Sequence, residues 1–177
     1  MGEEMPQLAE RMLEHLDLSL TSICLTLGGP ISADLDRLLE DLEILLGSSV
    51  EVFALEDLSQ SEVQDALELA GLILLAGGSG EGWIDRLQRT PYADQPDLFL
   101  SEGKVLMAIG IPSSAIGSWA ITDPTTPPLK GLNWLMGAIV LPAIDNPMAS
   151  PVVRDLLAEQ NQSYALGLPK GSMIAFG

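Results

Sequence analysis

The segments of this sequence that could do chemistry are turns that follow short apolar runs. They are Gly28-Gly29-Pro30, Gly77-Gly78-Ser79-Gly80, Gly110 through Gly117, and Leu141-Pro142-Ala143-Ile144. In an open α/β sheet such turns lie at the carboxyl ends of strands, where ligands bind. The stretch Gly77-Gly78-Ser79-Gly80-Glu81-Gly82 offers backbone N–H groups to an anion, which makes Gly77, Gly78 and Ser79 candidate binding residues. It has neither the G-x-G-x-x-G register with a following ribose-binding acid nor a Lys-Ser/Thr pair. The competing reading is a tight strand-to-helix turn in which glycine supplies positive φ or close approach. The turn after the next apolar run carries Ser113 and Ser114 between a strand and a helix, the setting of a nucleophile elbow. Ser113 joins the candidate binding residues.

Other reactive side chains are scarce. His15 is the only histidine, which removes most hydrolase and metalloenzyme mechanisms, and with Arg11 and Glu14 it reads as one solvated side of a helix. Cys24, the only cysteine, excludes an internal disulfide and a cysteine-rich zinc site. Lying inside an apolar run, it reads as a small buried hydrophobe. Glu81, Asp85, Asp94 and Asp97 lack calcium-loop spacing, and Asp34, Asp36, Glu40, Asp41 and Glu43 read as a solvated helix face. No metal and no cofactor is expected. Trp83, Trp119 and Trp134 stand in apolar context and read as core or interface anchors.

The elements that must position these turns follow from periodicity. Met5 to Leu18 is an amphipathic helix, with Leu8, Met12, Leu13 and Leu16 on one stripe. Leu20 to Leu27 is a buried strand. Ser32 caps a helix that carries Leu35, Leu38, Leu39, Leu42, Leu45 and Leu46 and closes at Gly47. Val50 to Leu55 is a strand, Ser59 or Ser61 opens a helix, Leu72 to Ala76 is a strand, and Trp83, Ile84 and Leu87 mark a short helix. Pro96 to Ser101 is expected to be helical, Lys104 to Ile109 a buried strand, Ser113 to Ile121 a short helix and Asp123 to Pro128 a loop. Leu132 to Leu135 and the run Ala138 to Leu141 follow, then a helix near Pro151 to Gln160 and strands at Tyr164 to Leu168 and Ser172 to Phe176. Strands too apolar to be wet on either face, alternating with helices, predict an α/β fold with a mostly parallel sheet and helices on both faces.

At 177 residues the chain suits one compact domain. With 47% hydrophobic and 19% charged residues it has too much apolar material for disorder. Eight Lys and Arg against 25 Asp and Glu give a net charge of −17, a field that repels phosphate backbones and anionic lipid headgroups. Neither nucleic acid nor membrane is expected as a partner. The apolar runs Ala70 to Ala76 and Gly137 to Ala143 are far shorter than the roughly 20 residues of a span. Glu3 and Glu4 stand where a signal peptide carries positive charge, so a cytoplasmic location is expected.

Several motifs in series carry a resemblance. Leu74-Leu75-Ala76-Gly77-Gly78, Trp83-Ile84-Asp85-Arg86-Leu87 with Thr90, Val105 to Gly117, Lys130-Gly131-Leu132 through Gly137-Ala138-Ile139-Val140-Leu141-Pro142, and Tyr164-Ala165-Leu166-Gly167-Leu168 together resemble the serine peptidases related to peptidase E and cyanophycinase. The resemblance covers about residues 20 to 177. It implies a three-layer, flavodoxin-like sheet of the class I glutamine amidotransferase-like type, with a Ser-His pair that hydrolyses peptide bonds next to aspartate. It places Ser114 at the nucleophile position, with Ala115 following as in the family. It also implies small residues two before and two after the serine, where Pro112 and Ile116 stand, and a histidine where Ala143 stands. The glutamine usual after the family's Gly-Gly is replaced by Ser79-Gly80, and the acidic stretch after its Gly-Ile by Pro169-Lys170-Gly171.

A serine hydroxyl without an adjacent base is a poor nucleophile. Losing the base costs on the order of 10⁴-fold or more in rate. The expectation is therefore a non-catalytic relative of this family, a binding or assembly domain of unassigned ligand over residues 19–177. The helix of residues 1–18 would cover a sheet edge or build a homodimer. The alternative is a serine hydrolase in which Asp145 or Lys170 serves Ser114 as base. A chain that stopped at Gly177, just after a strand, would leave a sheet edge open to pairing.

Overall fold

The computed structural model describes residues 13–29, 31–93, 103–122, 126–159, 163–169 and 173–176. In chain order its main elements are β1 (Thr21–Leu27), α1 (Ala33–Leu46), β2 (Val50–Ala54), α2 (Gln60–Leu69), β3 (Ala70–Gly77), α3 (Gly80–Leu87), β4 (Val105–Ile109), α4 (Pro112–Ala115), β5 (Gly117–Ala120), β6 (Leu129–Lys130), β7 (Leu135–Pro142), α5 (Pro151–Glu159), β8 (Tyr164–Leu168) and β9 (Met173–Phe176). Among the described residues, no helix is long and apolar enough to cross a membrane.

The helices start where side chains can satisfy their free N–H groups. Ser32 accepts from the Leu35 N–H at 3.2 Å to begin α1, and Gly47, at φ +68°, donates back to the Glu43 carbonyl to end it. Ser59 and Glu62 form a reciprocal capping box at the start of α2. At the other end of α2, Lys104 reaches in from the chain before β4, and its Nζ donates to the Leu67 and Glu68 carbonyls at 3.1 and 2.6 Å. Burial pushes the Lys104 ammonium below its ordinary pKa, opposed by the nearby Glu68 charge.

The strands divide between two sheets. One runs β2-β1-β3-β4-β9 and the other β6-β5-β7-β8. All pairings are parallel except β4 with β9 and β5 with β6. Side chains of β3 alternate between two cores, as a strand's two-residue period requires. Leu72, Leu74 and Ala76 meet Leu39 and Leu42 of α1 on one face. Ile73 and Leu75 meet Val63 and Leu67 of α2, Trp83, Ile84 and Leu87 of α3, and Ala138 and Val140 of β7 on the other. The outer face of the second sheet packs Ile139 and Leu141 against Val153 and Leu156 of α5. This layered, mostly parallel α/β architecture is the fold class the sequence predicts.

Several elements differ from expectation. The helix predicted over Ser113 to Ile121 stops at Ala115, and the chain continues as β5. A Cβ on Gly117 would lie 2.6 Å from the Ala138 carbonyl oxygen, so the backbone runs hard against β7 and pairs with it. Ser118 pins that register: its hydroxyl bonds Asn133 Oδ1 and accepts the Gly137 N–H at 2.7 Å. β7 begins at Leu135 rather than Ala138, and the short β6 has no periodic signal in its two residues. Of the predicted helix Met5 to Leu18, residues 13–15 are helical and 1–12 lie outside the described residues. It ends before Leu16, which is buried and bridges to Gly103, because the chain then turns around the Asp17 carboxylate. The predicted helix Pro96 to Ser101 also lies outside the described residues.

Two predictions follow from these contacts. A Cβ on Gly131 would stand 2.1 Å from the Gly117 carbonyl oxygen, so Gly131→Ala should lower urea-unfolding stability by about 3 kcal/mol. The exposed Ser48→Ala should change it by less than about 0.5 kcal/mol. The Glu62 carboxyl is held below its ordinary value of 4.5 by hydrogen bonds from the Ser59 hydroxyl and N–H. Its contribution is therefore full above pH 4.5 and is lost as pH falls through the lowered value. Ser59→Ala should cost about 1 kcal/mol near neutrality, and the gap to the native chain should narrow on acidification.

Candidate functional site

The carboxyl ends of β1 and β3 carry two glycine turns side by side. Gly77 and Gly78 adopt φ +73° and +69°, and a Cβ on Gly78 would approach Leu27 within 2.8 Å. A Cβ on Gly82 would approach the same leucine within 2.7 Å. Glycine is required at Gly78, where a Cβ would also lie 2.9 Å from the Leu27 carbonyl oxygen. Ser79 caps α3, its hydroxyl accepting the Gly82 N–H at 3.0 Å, and the Trp83 indole donates to the Gly77 carbonyl at 2.8 Å. The Gly28 N–H is taken by the Glu56 carboxylate. The predicted binding residues Gly77, Gly78 and Ser79 thus lie together, and this turn's strain and one of its caps are accounted for by contacts within the protein.

The turn between β4 and α4 is the strand-to-helix setting of an elbow. Its sharp residue is Gly110, at φ +67°, directly after the last residue of β4. Ile111 is already right-handed helical, and Pro112 begins α4 in the position where its missing N–H costs nothing. An elbow holds its nucleophile on the strained residue. Here that residue has no side chain. Ser114 lies four positions on, inside α4, 3% exposed, with its hydroxyl donating to the Ile111 carbonyl at 2.9 Å. Ser113, also buried, donates to the Gly110 carbonyl at 2.6 Å. Both hydroxyls close the turn from within. The sequence signal for Gly110 was a glycine ending an apolar run ahead of a proline, a turn signature that the neighbouring serines outweighed.

Two of these turns meet. A Cβ on Gly80 would lie 2.7 Å from Ser114 Oγ and 3.3 Å from Thr122 Cγ2, so the start of α3 covers the Ser114 hydroxyl. Ile116, two residues past Ser114, is fully buried with Ala115 in the core between the sheets. The larger side chain is accommodated because no sharp turn passes there.

Ala143 directly follows β7 in the left-handed region, φ +59°, and is exposed. Outside glycine such a backbone costs roughly 1–2 kcal/mol. Asp145 is exposed beyond it, and Lys170 lies outside the described residues. Among the described residues, neither a lysine nor a carboxylate hydrogen-bonds to Ser114. His15 is exposed on the N-terminal helical residues, and no group of three or more His, Cys, Asp or Glu side chains gathers among the described residues. Cys24 is buried in β1, and burial pushes its thiol up to about 11.

The fold is that of a layered, mostly parallel α/β protein. The chain is similar to the solved structure of a "putative peptidase E protein" from Listeria monocytogenes EGD-e, with a TM-score of 0.57 and 15% sequence identity over 95% of this chain and 92% of that one. At that identity the likeness is one of fold. No family model matches the sequence, and no curated protein matches it.

Cys24 should resist a thiol reagent near neutral pH in the folded chain and react once urea unfolds it, because the thiolate is the reacting species. Fast labelling of the native protein would contradict this placement.

Proposed function

We propose that this chain is a non-catalytic relative of the peptidase E and cyanophycinase-type serine peptidases and acts as a binding domain. The observation that carries the reading is the state of Ser114. Its hydroxyl is buried, donates to the Ile111 carbonyl and is covered by Gly80. A nucleophile needs a base within about 3 Å and access to the substrate carbonyl, and this serine has neither among the described residues. Supporting it, the strained residue at the β4 turn is Gly110, and the place where the family resemblance calls for a histidine is Ala143. Exposed apolar side chains, Ile31 and Ile111, flank the glycine turns at the ends of β1 and β4.

A fluorophosphonate serine-hydrolase probe and an Asp-X dipeptide assay test this together. The expected result is no labelling and no turnover above background, equally for the native chain and Ser114→Ala. Labelling of the native chain that Ser114→Ala abolishes would overturn the proposal and establish a serine hydrolase with a non-histidine base.

A further inference from the structure

We draw no further inference here: the strongest candidate, the outer edge of β8 (Tyr164–Leu168), is uncharged, exposes Tyr164 and pairs with no strand among the described residues, and nothing in the structure shows what covers it.

Discussion

Close packing at the ends of β1 and β3 is the constraint from which the rest of the site follows. The turn after β3 passes so near Leu27 that a Cβ on Gly78 would lie 2.9 Å from the Leu27 carbonyl oxygen, and the next contact in the same turn sets Gly80 against the Ser114 side chain. β3 is fixed in this place because it is buried on both faces between α1 on one side and α2, α3 and β7 on the other. A strand held so tightly cannot shift to open a pocket above its end without disturbing both cores. Between the glycine turn and the β4 turn, the start of α3 packs against the Ser114 side chain of α4.

Charge is distributed with a consistent economy. Of eight Lys and Arg residues, Lys104 caps the carbonyls ending α2, Arg86 binds the Leu55 and Leu58 carbonyls, and Arg154 binds that of Met148. Lys104 thus fastens a helix end, while Arg86 and Arg154 fasten the segments between β2 and α2 and between β7 and α5. These cations are thereby withheld from the 25 carboxylates, most of which stay solvated. An acidic surface therefore arises from the way few cations are used as well as from their number.

Much of this architecture was legible in the sequence because strands buried on both faces are written as continuous apolar runs. β1, β3 and β4 fall within a residue or two of the runs that mark them, and Ser32, Ser59 and Gly47 cap helices as their types suggest. The failures share one cause. Gly117 and Gly131 shape β5 and its turn through contacts with distant backbone, which no local period records. A glycine-containing serine segment therefore read as a helix although its second half is a strand. The division into two sheets depends on the same long-range contacts. At the site, serine type drew attention to Ser114, whereas the strained residue, Gly110, carries no side chain and so no chemical signature.

Taken together, the β4 turn keeps the strand-turn-helix course of an elbow while Ser114 serves the packing of α3 on α4. The most direct measurement is a double-mutant cycle between Gly80 and Ser114, read by urea unfolding. Gly80→Ala should destabilise the native chain by about 1–3 kcal/mol, because the new methyl meets Ser114 Oγ, and should cost much less in a Ser114→Ala background. Equal costs in the two backgrounds would mean that Gly80 does not press on the hydroxyl, leaving Ser114 free for chemistry and contradicting the account.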